Sequence, residues 1–147
     1  MALSVEQFRI WDNAKSLSRK FQFEESLELY RSIEADMANI QEWRTYKSEN
    51  DNLFYQAMFF GDYCGVLCNI GLYAEAKEKG DLALKFIEQG NFTTLKYIYY
   101  NIGNIFSFQK DYAKACTWYE AALEGATYFY TSVNEYLVNY GIALYYL

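Results

Sequence analysis

No proline occurs anywhere in the 147 residues, and apolar side chains recur at spacings of three and four almost from end to end. Proline is the strongest helix breaker, and a recurrence at three and four is the signature of a helix with one buried face. No stretch shows the strict alternation of a half-buried strand. Helices are therefore expected throughout. Ser4 with Gln7 forms a capping box ahead of Phe8, Ile10, Trp11, Ala14 and Leu17, which predicts a helix over 5–19. A second follows, with Phe23, Leu27, Tyr30, Ile33 and Met37 on its face. The segment 39–52 reads ambiguously. Ile40, Trp43 and Tyr46 keep a helical spacing, but Ser48-Glu49-Asn50-Asp51-Asn52 is a run of good caps and poor helix formers. From Leu53 a helix runs to Ile70, where Gly71 marks a turn, and further helices are expected at 73–89, 92–108, 112–126 and 131–146. Seven helices joined by such short turns imply antiparallel hairpins packed side by side.

Composition narrows the chemistry. Thirteen basic against nineteen acidic residues leave a net charge of −6, the wrong sign for a nucleic-acid backbone. There is no histidine, which removes the commonest general base, nucleophile partner and metal ligand together. No glycine-rich phosphate loop and no nucleophile motif occurs. The pairs Glu24/Glu28 and Glu75/Glu78 lie among other charges on outer helices and read as solvated. Cys64, Cys68 and Cys116 make neither a disulfide framework nor a metal set, and they fit a reduced, cytoplasmic setting. The expectation is a protein that is not an enzyme and uses no cofactor and no metal.

Internal repetition is the strongest signal. Tyr99, Ile102, Gly103, Phe106, Tyr112, Ala115, Tyr119 and Ala122 form a pattern of large, apolar, small and aromatic residues across one helix hairpin. Phe60, Cys64, Leu67, Gly71, Tyr73, Ala76 and Ala83 fall at equivalent places upstream, with Gly80 where an aromatic is expected. Ile10, Ala14, Leu17, Phe23, Ser26 and Tyr30 give a fainter copy, and Leu137, Tyr140, Gly141 and Leu144 give half of another. This pattern resembles the tetratricopeptide repeat (TPR) family, most fully over 96–125, with Thr127 where the family's closing proline belongs.

The resemblance implies an all-α, right-handed superhelix of antiparallel hairpins, at about 5–38, 53–89 and 92–126, with a half-hairpin at 131–147. These would form one domain over 1–147. Successive copies lie 50, 39 and 38 residues apart, from Ser26 to Ala76, Ala76 to Ala115 and Gly103 to Gly141. The family's usual period is 34, so the hairpins are longer by a turn or more. Small residues at Ala14, Cys64, Gly103 and Gly141 would let paired helices approach closely.

Thr131–Leu147 carries one charged side chain, Glu135, and is apolar on nearly every face. A solenoid ends on a helix with a polar outer face. Two expectations follow: an N-terminal fragment of a longer protein, cut at a hairpin turn, or a short protein that buries this face as a homodimer. A membrane span is disfavoured by Asn134, Glu135 and Asn139 within so short a segment.

In TPR arrays the first helix of each hairpin lines a groove. Carried over by register, the groove residues here are Asp62, Asn69, Tyr97, Tyr100, Asn101, Asn104, Phe108, Glu135 and Asn139. Asp62, Asn101 and Asn139 fall on one register position, as a ladder. An asparagine can grip a peptide group with donor and acceptor at once. The same residues also suit a plain solvated surface. The clamp that co-chaperone TPRs place on a C-terminal carboxylate is not matched, since Gly61, Gly65, Glu135 and Asn139 stand at its positions and only Asn101 fits. The reading is a non-catalytic module that binds a protein or an extended peptide segment in the cytoplasm, with no nucleic acid and no membrane. The alternative is a structural module that self-associates through its last helix.

Overall fold

The computed structural model describes residues 5–39, 49–124 and 131–147. Among the described residues there are seven α-helices and no strand: α1 (Val5–Arg19), α2 (Phe23–Ala38), α3 (Glu49–Ile70), α4 (Tyr73–Gly90), α5 (Lys96–Phe108), α6 (Tyr112–Leu123) and α7 (Thr131–Tyr146). Where the sequence suggested one domain over 1–147, the chain divides into two compact units, Met1–Phe92 with α1–α4 and Thr93–Leu147 with α5–α7.

Three connections are the same turn built from different residues. After α1 the Phe21 N–H reaches the Ser18 carbonyl and the Gln22 N–H the Leu17 carbonyl, both at 3.0 Å. After α3 the pairs are Gly71 to Cys68 at 3.1 Å and Leu72 to Leu67 at 3.0 Å. After α5 they are Lys110 to Ser107 at 3.0 Å and Asp111 to Phe106 at 2.8 Å. Each is a Schellman closure with its middle residue left-handed: Phe21 (φ 61°), Gly71 (φ 92°) and Lys110 (φ 64°). The residue after it already caps the next helix, its carbonyl accepting the N–H of Ser26, Ala76 or Ala115 at 3.1, 2.8 and 3.0 Å. The turns lie 50 and 39 residues apart, the intervals of the sequence repeat.

Three boundaries depart from expectation by more than one residue. Helix α3 starts at Glu49 rather than Leu53, so the helix begins within the polar run. Helix α5 starts at Lys96 rather than 92: Asn91 is left-handed (φ 53°) and the Phe92 N–H closes α4 onto Ile87, so the chain restarts only after Leu95. Helix α6 stops at Leu123, and 125 and 126 lie outside the described residues. So do Ser4, half of the expected capping box, and Ile40, Trp43, Tyr46 and Thr127. The Gln7 amide instead donates to Asp36 on α2.

In the first unit the fully buried Ala14 and Ser26 meet where α1 and α2 cross, and Ser26 Oγ donates to the Ala14 carbonyl at 2.7 Å. Helix α3 packs on both through rings. Trp11 meets Phe59 edge-on at 5.8 Å, and Tyr30 stacks on Tyr63 at 5.3 Å. Gln56 on α3 donates to the Met37 and Ala38 carbonyls, which closes the C-terminus of α2. Helix α4 joins through Phe60 and Phe86, and ion pairs tie it to α2: Arg31 with Glu75 at 3.0 Å, and Lys79 with Glu34.

In the second unit, a β-carbon on Gly103 would lie 2.6 Å from a ring carbon of Tyr119 and 3.3 Å from Trp118 Cβ. Helix α7 runs antiparallel to α6, with Tyr146 stacked on Tyr112 and the Tyr140 hydroxyl donating to Glu120 at 2.7 Å. The face it buries holds Tyr136 and Ala143. Gly141 therefore corrects an expectation. It is exposed, with open space where a β-carbon would go, so it packs against nothing.

Candidate functional site

The nine residues assigned to a groove fall into different environments. On α3, Asp62 is half-buried and accepts the indole N–H of Trp11 on α1 at 3.1 Å. Asn69, near the end of α3, is exposed and its amide donates to the Gly65 carbonyl of its own helix at 2.9 Å. In the second unit, Tyr97, Asn101 and Asn104 are half-buried and Phe108 is exposed. Their spacing of four, three and four sets them along one face of α5. Glu135, in the first turns of α7, is exposed.

Tyr100, Asn104 and Asn139 come together. Asn139 Nδ2 donates to Tyr100 Oη at 2.6 Å and to Asn104 Oδ1 at 3.2 Å. Asn104 Oδ1 also accepts the Tyr119 hydroxyl at 2.7 Å. The Tyr100 ring lies 4.2 Å from that of Tyr136 and is buried between α5, α6 and α7. Burial, with Glu135 nearby, holds its hydroxyl well above the ordinary tyrosine range. Two expectations are corrected here. Tyr100 is a packed ring, not a groove wall, because α7 covers it. Asn139 is half-buried rather than exposed, and both N–H protons of its amide are engaged within the unit, leaving its carbonyl as acceptor.

Comparing the two units gives the ladder a physical meaning. Asp62 and Asn139 occupy the same register position, and so do Trp11 and Tyr100 one hairpin earlier. In each unit the ladder residue bonds the polar end of that earlier aromatic, Trp11 to Asp62 and Tyr100 to Asn139. The aromatic also packs on a ring two residues below the equivalent position, Phe59 in one unit and Tyr136 in the other. Asp62 therefore fastens α3 to α1, and Asn139 fastens α7 to α5. The sequence pointed to the ladder but not to Trp11 or Tyr136. The readable sign was that a buried indole or phenol needs a partner for its polar end.

The titratable groups are arranged for packing. All three cysteines are buried; burial raises the Cys64 thiol and pushes Cys68 up to about 12, which withholds the thiolate that reactivity needs. Burial works against the charge of Lys79, but the hydrogen bond and charge of Glu34, with Glu78 and Glu75, outweigh it and hold the ammonium above its ordinary range. Tyr63 donates to the same Glu34 at 3.1 Å. Among the described residues no group of three or more acidic or thiol side chains could hold a metal ion, and no helix is long and apolar enough to cross a membrane. No protein-family model matches the chain, and no curated protein matches it.

Proposed function

We propose that the chain is a non-catalytic helical-repeat module of TPR type that docks a protein or extended peptide segment in the cytoplasm. The observation that carries this reading is the turn repeated three times at the sequence intervals, which gives the first helices of the hairpins a common register. In that register Tyr97, Asn101, Asn104 and Phe108 form one face of α5, with aromatic area at its ends and amides between. Aromatic rings supply contact area at low entropy cost and amides bind peptide groups. Selection from a displayed library of random linear peptides tests it. The expected binders compete for one site and lose affinity with Asn101→Ala and Phe108→Ala. Binders indifferent to both changes would contradict the assignment.

A second reading, self-association, is favoured by α7. Leu137, Val138, Ile142, Leu144 and Tyr145 are between 43% and 83% exposed on that helix. Contiguous apolar patches of this kind mark interaction surfaces.

A further inference from the structure

The self-association reading leaves open how two copies would meet, and the exposed face of α7 carries a projecting tyrosine one turn from a glycine with open space beside it. Leu137, Gly141 and Leu144 form one row along the helix and Val138, Ile142 and Tyr145 form the next, each at spacings of four and three. Gly141 has nothing within 4 Å of the place a β-carbon would take, and Tyr145, one turn on, is 83% exposed. The Tyr145 ring is braced rather than loose. It meets Tyr146 edge-on at 5.0 Å, and Tyr146 stacks on Tyr112 of α6.

Within the second unit a glycine of this kind is already filled by a tyrosine. Gly103, 38 residues before Gly141, receives the ring of Tyr119 from an antiparallel helix. We propose that two copies of this chain pair through α7 about a two-fold axis, antiparallel, with Tyr145 of each copy seated on Gly141 of the other. This rests on the self-association reading above. A two-fold interface uses one patch twice, so a tyrosine and a glycine one turn apart on the same face suffice. With the axis level with residue 143, Gly141 faces Tyr145 twice.

Charge and area point the same way. Each copy carries a net charge of −6, so like copies repel except across an uncharged surface, and the two rows hold no charged side chain. Glu135 lies at the start of α7, and an antiparallel pairing sets the two glutamates at opposite ends. The exposed parts of the five large side chains amount to roughly 600 Å², of the order of the ~800 Å² per partner in a standard interface.

Light scattering of the whole chain across concentration, with sedimentation velocity, tests the proposal. The expected mass is twice 17.3 kDa. Tyr145→Ala and Gly141→Leu should each raise the dissociation constant about tenfold or more, while Tyr145→Phe, which keeps the ring, leaves it unchanged. Both sites are exposed, so helical circular dichroism should persist; if Gly141→Leu fails to fold, Tyr145→Ala decides alone. A monomer at every concentration would overturn self-association itself and leave the rows to another polypeptide. A dimer untouched by Tyr145→Ala would overturn only the Tyr145–Gly141 pairing.

Discussion

The ring of Tyr119 occupies the space that a β-carbon on Gly103 would need, with Cε1 at 2.6 Å and Cδ1 at 2.7 Å from that position. Tyr119 is fully buried and its hydroxyl is tied to Asn104, so the ring has nowhere to swing. A glycine inside a helix costs roughly 1 kcal/mol against alanine. Here the close crossing of α5 and α6 offsets that cost.

Gly103 and Gly141 should therefore respond in opposite ways, although the sequence presents them as equivalents. Gly103→Leu should destabilise by about 1–3 kcal/mol or more through overpacking. Gly141→Ala, with open space around it in the single chain, should stabilise the dissociated monomer by up to ~1 kcal/mol. Urea melts of the two variants check both signs. A Gly103→Leu protein at least as stable as the parent would remove the crossing from the account.

Asp62 and Asn139 should affect stability through the aromatics they hold. Asp62→Ala leaves the buried Trp11 N–H without its acceptor, and Asn139→Ala removes the hydrogen bonds donated to Tyr100 Oη and Asn104 Oδ1. Each should cost about 1–3 kcal/mol, the scale for a polar group left unsatisfied. If Trp11 is first changed to Phe, the Asp62→Ala cost should shrink, and a double-mutant cycle by thermal melting reads that coupling.

The sequence made the periodic features legible. Helix number, the register of the hairpins and the small residues at Ala14, Cys64 and Gly103 all follow from side-chain size and spacing. It did not reveal which polar positions were committed inside the fold. Asp62 and Asn139 look like free surface groups until the ring above each is placed, because those partners lie 51 and 39 residues away. Nor could it separate Gly141 from Gly103, since the difference is whether a second helix covers the glycine. The start of α5 is less legible: Gly90-Asn91 marks the break after α4, but residues 92–95 hold neither glycine nor proline to show that the chain stays non-helical up to Lys96.

Alkaline pH should loosen the first unit. Lys79, Tyr63 and Tyr30 all sit above their ordinary ranges in the folded state. For groups raised in this way the stabilisation is complete below the unfolded values, ~10 for Tyr and ~10.4 for Lys, and is lost as pH climbs through the folded ones. Stability measured by urea melts should thus hold level from neutrality to about pH 8, begin to fall near pH 8.5 as the thiols of Cys64 and Cys68, also raised by burial, ionise in the unfolded chain, and fall more steeply beyond about pH 10. Glu34→Gln should flatten the part of that fall due to Lys79. Because Glu34 is partly exposed, its cost at pH 7 should be about 1–2 kcal/mol, below that of a fully buried pair.

The turn after α1 should be improvable. Phe21 is left-handed and 81% exposed, at the position held by Gly71 in the next hairpin. A left-handed non-glycine residue costs roughly 1–2 kcal/mol, against which stands only an edge-on contact with Phe23 at 6.0 Å. Phe21→Gly should raise the melting temperature, and Gly71→Ala should lower it.

The docking claim is tested most directly by a peptide titration followed through backbone amide NMR shifts, using a peptide selected from the library. The account predicts shifts concentrated on the α5 face of Tyr97, Asn101, Asn104 and Phe108, with Asn101→Ala weakening binding by about 1–3 kcal/mol. Shifts confined to the charged outer residues of α4, or a binder whose affinity Asn101→Ala leaves unchanged, would contradict it.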